Sequence, residues 1–303
     1  MKTTVESCLP GHPDKASDAI ADFLLDEYLK RDSKARVAIE VMGTNSTLLI
    51  GGEVNTKEQL SEEEIINYAK IVLKETGSSP ITDFIIRVHQ QSQEISRLAQ
   101  MGAGDSGIVY GYATAETKNM MPKIINDVHA KAKGYFETYK GDGKVQLTLE
   151  TGSEIYREVS KIQGRDFKVG GFQADTGLTG RKQQVDTYCG LVRHGGGAFS
   201  GKDGTKVDRS GAYMARWLAK YIVKTYGWQE ATVELAYEIG VAQPVMISVQ
   251  VPYEPLNKAV ERIVKEQFDL SPRAIIERFG LNKPIYYPTA CYGHFGRMEF
   301  PWE

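Results

Sequence analysis

The stretch His194-Gly195-Gly196-Gly197-Ala198-Phe199-Ser200-Gly201-Lys202-Asp203-Gly204-Thr205-Lys206-Val207-Asp208-Arg209 couples a glycine-rich loop to the start of an amphipathic helix. Glycine lets a backbone approach a ligand closely and turn through φ > 0. Lys202 and Lys206 supply point charges, and the helix start adds unpaired N–H groups at the positive end of a dipole. Asp208, in the first helical turn, suits Mg²⁺, which binds through one or two carboxylates together with substrate phosphates. The segment points to a bound polyphosphate. Thr205-Lys206-Val207-Asp208 also fits a capping box in which Asp208 only satisfies a helix end. The loop has neither the G-x-x-x-x-G-K-[ST] nor the G-x-G-x-x-G spacing, so other segments must decide.

The helix that follows carries Met214, Trp217, Leu218, Tyr221 and Ile222 on one face. Behind it Val233, Leu235, Tyr237 and Ile239 alternate as a strand, 245–249 reads as a second strand, and 255–268 as a helix. The same order stands near the start of the chain. Pro13 sits at a first helical position, and Ala16, Ala19, Ile20, Phe23, Leu24 and Tyr28 share a face. Strands through Val37, Ile39 and Val41 and through 48–52 come next, then a helix over 61–75 and a strand over 82–90. A third copy is incomplete: a helix through Ile125, Val128, Ala132, Phe136 and Tyr139, a strand through Val145, Leu147 and Leu149, and then only 154–159. The expected fold class is α+β, with three pseudo-repeated helix–strand–strand lobes and the middle one truncated. The expected division is 1–96, 97–172 and 173–303, with ligand groups gathering at the Gly/Thr-rich junctions near 101–107, 170–180 and 194–205.

With 303 residues the chain can form more than one hydrophobic core. Charged residues are 25% and the formal net charge is −2, which argues against a nucleic-acid partner held by a basic surface. Cys8, Cys189 and Cys291 are far apart and form no C-x-x-C pair, so neither a disulfide framework nor a zinc site is expected. No apolar run has membrane-spanning length, and no signal-peptide core follows Met1. The expectation is a cytoplasmic protein with no membrane partner.

Gly11-His12-Pro13-Asp14-Lys15 opens the first helix as the glycine loop opens the third. Two equivalent helix starts thus carry a carboxylate beside cations, and Asp14 and Asp208 together could hold Mg²⁺ against a phosphate chain. Taken singly, Asp14 only complements a helix dipole and His12 only caps it. Gly180-Arg181-Lys182 and Asp142-Gly143-Lys144 add cations in glycine contexts. Asp105 fits a turn former, and Glu40 and Glu53 fit outward-facing strand positions.

These segments, in this order, resemble the S-adenosylmethionine synthetase family. The resemblance runs through Gly11–Lys15, Gly102-Ala103-Gly104-Asp105, Gly177-Leu178-Thr179-Gly180-Arg181-Lys182, the 195–208 loop, Ala242-Gln243-Pro244 and Thr289–Arg297. It implies that the sulfur of methionine attacks C5′ of ATP, and that the displaced tripolyphosphate is hydrolysed to pyrophosphate and phosphate. It further implies His12 at the bond-breaking oxygen, Mg²⁺ (two ions) on Asp14 and Asp208, and polyphosphate on Lys144, Arg181, Lys182, Lys202 and Lys206. Phe167 and Ala198 would lie in the ATP site, with Asp142 and Asp175 near the nucleoside. Glu53, Gln91, Asp105, Asp175 and Lys206 would serve methionine, and Glu40 with Ser200 would bind K⁺. The family's sites lie at a homodimer interface, with Asp105 contributed by the second subunit; dimers and tetramers both remain open.

Two departures stand out. The middle lobe lacks several dozen residues after Leu149, and the gating loop between Gln91 and Gly102 is shorter than in typical members. An active synthetase is the leading expectation because the charged inventory is intact. The alternatives are a non-catalytic nucleotide-binding relative and an enzyme that keeps mainly the tripolyphosphatase step.

Overall fold

A computed structural model describes residues 2–78, 80–91, 102–150 and 156–303. The first part of the chain forms β1 (Lys2–Cys8), α1 (Pro13–Arg31), β2 (Arg36–Thr44), β3 (Thr47–Asn55), α2 (Glu62–Thr76) and β4 (Asp83–Gln90). Next come β5 (Gly107–Thr114), α3 (Lys123–Tyr139), β6 (Gly143–Glu150), β7 (Arg157–Ile162), β8 (Gly177–Leu178) and the short α4 (Gln183–Asp186). The chain continues through α5 (Val207–Tyr226), β9 (Glu230–Tyr237), β10 (Met246–Gln250), α6 (Asn257–Gln267) and α7 (Pro272–Phe279).

Local signals explain where the helices begin and end. His12 caps α1 by accepting the Asp14 N–H, with Pro13 just inside. Ser61 and Glu64 form a reciprocal capping box for α2, and Gly77 and Gly227 end α2 and α5 in the left-handed conformation. Each long helix, α1, α3 and α5, is followed by an antiparallel strand pair: β2–β3, β6–β7 and β9–β10. The sheets are ordered β4-β3-β2-β8, β1-β6-β7 and β10-β9-β5. Helix α1 packs on the first, α3 on the second and α5 on the third.

Each sheet also takes a strand from elsewhere in the chain. β1, from the start of the chain, joins the β6–β7 sheet; β5 joins β9, and β8, far along the chain from β2, joins β2. Neither β1 nor β5 is marked by the sequence pattern. In β5 the inward positions are Val109, Gly111 and Ala113, and a Cβ on Gly111 would lie 1.9 Å from the Ala215 carbonyl carbon of α5. Close helix packing, not a bulky apolar stripe, defines that strand. Of the 154–159 segment that ends the incomplete third copy, residues 154 and 155 lie outside the described residues, and β7 begins at Arg157. The segment expected to be the gating loop, 92–101, also lies outside them.

Helix α1 is buried on nearly every side, and the segment after Thr289 closes over α5. Trp302 stacks on Tyr213 at 3.6 Å between ring centroids, and its Nε1 donates to the His294 carbonyl at 2.8 Å. Among the described residues no helix is long and apolar enough to cross a membrane.

Candidate active site

The edge of β2 not paired with β3 organises the two cationic loops. Val41 N–H donates to Thr179 Oγ1 at 2.8 Å, and Thr179 N–H returns to the Val41 carbonyl at 3.0 Å. Two residues along, Ile39 N–H donates to the Gly201 carbonyl at 3.1 Å, and Val37 N–H to the Asp203 carboxylate at 2.7 Å. The 177–182 and 201–206 loops therefore lie side by side. Gly180 and Gly201 have φ of +80° and +78°; a Cβ would lie 2.3 Å from Ala198 Cβ at the first and 1.9 Å from the Ile39 carbonyl oxygen at the second. Only glycine fits both places.

The first cavity, about 350 Å³, brings together His12, Asp142, Lys144, Phe167 and Asp175, five of the residues expected from sequence. His12 Nδ1 accepts the Asp14 N–H at 3.2 Å. Burial, reinforced by Lys182 and Lys144, pushes its imidazole down to about 3, so the ring is neutral. Asp14 is 2% exposed. Burial pushes its carboxyl up, but the hydrogen bonds from Lys182 Nζ and from the Leu178 amide outweigh this and hold it below the ordinary value. Arg181 Nε lies 3.6 Å from the same carboxylate. Asp142, pushed up by burial, accepts the Gly171 N–H at 3.0 Å. Glu6 and Lys161 also line this cavity and escaped sequence reasoning. Glu6 Oε2 accepts from Gln146 Nε2 at 2.8 Å. Its only signal would have been an outward position on a strand leading into the Gly11–Lys15 turn.

A second cavity, about 400 Å³ on the open face of β2–β3, gathers Glu40, Ser200 and Lys202 beside Met42 and Leu49. Lys202 Nζ donates to Asp208 at 2.5 Å. Burial pushes Asp208 up, Lys202 opposes this, and Asp105 adds a like charge nearby. Ser200 Oγ is buried with no hydrogen-bond partner. Lys206 is placed in a buried pair with Asp203 at 2.8 Å, which also fixes that loop to β2. Gln91 Nε2 donates to Glu53 Oε1 at 3.2 Å, and Gln91 Oε1 is buried and unpartnered. Among the described residues no three His, Cys, Asp or Glu side chains converge as a protein-only metal cage. Two separate carboxylates, Asp14 and Asp208, fit a cation that completes its shell with phosphate and water.

Gly197 makes room for Asp208: a Cβ there would lie 1.9 Å from its carboxyl carbon. Gly197→Ala must displace the Asp208–Lys202 pair, and the expected outcome is a fall in kcat of roughly 10²-fold with a melting temperature close to wild type. Steady-state kinetics beside a thermal melt check this; unchanged kcat would show that the pair's position is immaterial.

Comparison with known proteins adds an independent finding. The N-terminal, central and C-terminal domains of S-adenosylmethionine synthetase match residues 1–101, 100–163 and 169–303. The S-adenosylmethionine synthase of Mycoplasmopsis synoviae is 40% identical over 364 aligned positions, covering 99% of this chain and 94% of the relative. Those of Mesoplasma florum and Pelagibacter ubique are each 37% identical, with 99% of this chain and 96% and 95% of the relatives covered. The class is a transferase that moves an adenosyl group. The chain belongs to the S-adenosylmethionine synthetase family, whose activity is the synthesis of S-adenosylmethionine from ATP and methionine.

Proposed function

We propose that the methionine sulfur attacks C5′ of ATP, displacing intact tripolyphosphate, which the same site then hydrolyses to pyrophosphate and phosphate. The observation that carries this reading is the cavity holding His12, Asp142, Lys144, Phe167 and Asp175 beside the Asp14–Lys182 pair. A thioether has a free lone pair and needs no general base, so the barrier lies in charge growing on the leaving oxygen. Because Nδ1 of neutral His12 accepts the Asp14 amide, its proton sits on Nε2, which donates to that oxygen. Lys144, Arg181, Lys182, Lys202 and Lys206 hold the phosphates, and Phe167 packs on the adenine. Ala198 lines the ATP site, and Asp142 and Asp175 bind the nucleoside. Glu53 takes the methionine ammonium and Gln91 sits beside it, with Asp105 and Lys206 also facing methionine. Asp14 and Asp208 hold Mg²⁺, which when bound neutralises phosphate charge. Glu40 and the unpartnered Ser200 hydroxyl suit K⁺.

Two observations support a homodimer. The cavities at His12 and at Lys202 share no lining residue, and the second opens on a face carrying exposed Met42 and Leu49. A two-fold dimer that sets one protomer's His12 cavity against its partner's Lys202 loop would complete each site. The middle lobe is read as abbreviated. Two comparisons support this reading: its family match spans only 100–163, and the alignments run to 364 and 365 positions against a 303-residue chain. Faster release or weaker binding of substrate with retained chemistry is the expected consequence of the shorter gating loop. A methionine KM and turnover equal to those of a full-length relative, assayed in parallel, would count against it.

The direct test is incubation with ATP, methionine, Mg²⁺ and K⁺, quantifying S-adenosylmethionine, pyrophosphate and phosphate together, with Lys202→Ala as control. Equal amounts of the three products from wild type, and none from the control, are expected. Nucleotide binding without sulfonium product would overturn the proposal.

A further inference from the structure

Helix α1 carries Asp14, Asp18, Asp22 and Asp26, four residues apart and so stacked along one face. All four are buried, at 2%, 0%, 0% and 5% exposure. Each accepts main-chain N–H groups: Asp14 and Asp18 from the 177–182 loop, Asp22 from the 201–206 loop and Asp26 from a turn near the end of the fold. Leu178 donates to Asp14 at 3.0 Å, Gly180 to Asp18 at 2.8 Å, and Gly201 to Asp22 at 2.9 Å. Tyr286 and Tyr287 donate to Asp26 at 3.0 and 2.9 Å. Cations complete the first three: Lys182 on Asp14, Lys15 on Asp18 and Arg209 on Asp22. Arg209 Nη1 also donates to the carbonyls of Phe199 and Lys202, both at 3.1 Å, so the Asp22–Arg209 pair grips the Lys202 loop at several points.

A buried carboxylate is expensive even when paired, and apolar side chains would pack a buried helix at lower cost. What these aspartates provide is geometry. Successive positions lie about 6 Å apart along the axis, and the amides they hold belong to the loops that present Arg181, Lys182 and Lys202. We propose that Asp18 and Asp22 are positioning residues for the transfer reaction, setting the spacing of the two cationic loops around the leaving polyphosphate. This rests on the proposed function and adds to it two side chains that touch no substrate. Asp26 is the internal control: it has the same burial and the same kind of bond, but its turn, Tyr286–Tyr287, carries no phosphate-binding cation.

The experiment compares Asp18→Asn, Asp22→Asn and Asp26→Asn with wild type in thermal stability, kcat, both KM values and calorimetric affinity for inorganic tripolyphosphate. All three variants should lose stability, Asp18→Asn and Asp22→Asn more than Asp26→Asn because each leaves a buried cation unpaired. Only the first two should lose kcat, by about 10- to 100-fold, with methionine KM within about threefold and tripolyphosphate bound about tenfold more weakly. Equal losses in Asp26→Asn, or wild-type kcat in Asp18→Asn and Asp22→Asn, would overturn the positioning role. Gly180→Ala covers a failure to fold, since it shifts the amide that Asp18 holds without removing a buried charge; wild-type kcat and tripolyphosphate affinity in that variant would also overturn it. A wild type that makes no S-adenosylmethionine would defeat the proposed function instead, and the tripolyphosphate affinities would still decide whether the aspartates set the cations.

Discussion

Replacing Arg216 by leucine is expected to cost about 3–5 kcal/mol of folding stability, the usual penalty for removing one member of a buried ion pair. The guanidinium is fully buried and donates to the carbonyls of Tyr112 at 2.6 Å, Met120 at 2.9 Å and Asn119 at 2.8 Å. It also grips Glu303 in bidentate fashion at 3.0 and 2.9 Å. Leucine fills part of the volume but takes a donor from three carbonyls and leaves a buried carboxylate with only Lys220 and the Gly296 N–H. The loss should appear as a lower denaturation midpoint at pH 7. Arg216→Leu combined with Glu303→Leu should be less destabilised than the two single effects added, because the stranded charge is gone. A single-variant loss below 1 kcal/mol would mean that water reaches these groups and that the end of the chain is not locked onto α5 as the geometry requires.

The legible parts of this protein are those in which local sequence and tertiary demand agree. Pro13 at a helix start, the apolar face from Ala16 to Tyr28, and alternation through Val37, Ile39 and Val41 lead directly to α1 and β2. The glycine-cation segments are legible for a related reason: a turn that must hug β2, as Gly201 does against Ile39, admits no side chain and so leaves a visible mark. Strand β1 is not legible, because Lys2–Cys8 becomes a strand by pairing with β6 more than 130 residues away. The aspartate series of α1 is hidden for the opposite reason. Charged residues at helical spacing ordinarily mark a solvated face, and only tertiary burial reveals that Asp18 and Asp22 point inward. Motif position placed His12, Lys144 and Phe167 in one group, and the geometry collects them in one cavity. It gave no warning that Lys202 and Ser200 line a different cavity, since motifs carry no information about which face of the fold a loop presents.

The second large effect is expected at Lys182. Its side chain is 14% exposed, and its ammonium donates to Asp14 and stands next to the buried His12 ring. On the proposed function Lys182→Ala removes a preorganised cation facing the leaving phosphates, and a fall in kcat of roughly 10²–10³-fold is expected from the cost of losing one such group. Hydrolysis of added tripolyphosphate should fall in parallel if, as proposed, the same charge serves both halves of the reaction. Methionine KM should stay within a few-fold of wild type, since the Glu53–Gln91 pair is held by β3 and the segment after β4, apart from the α1–β8 turn. Lys182→Arg should restore little, because a planar fork does not reproduce a compact charge that must satisfy Asp14 and a phosphate together. Initial-rate kinetics for both substrates separate these outcomes. A large rise in methionine KM at constant kcat would place Lys182 in substrate binding, whereas equal losses of kcat and kcat/KM place it where the leaving group's charge develops.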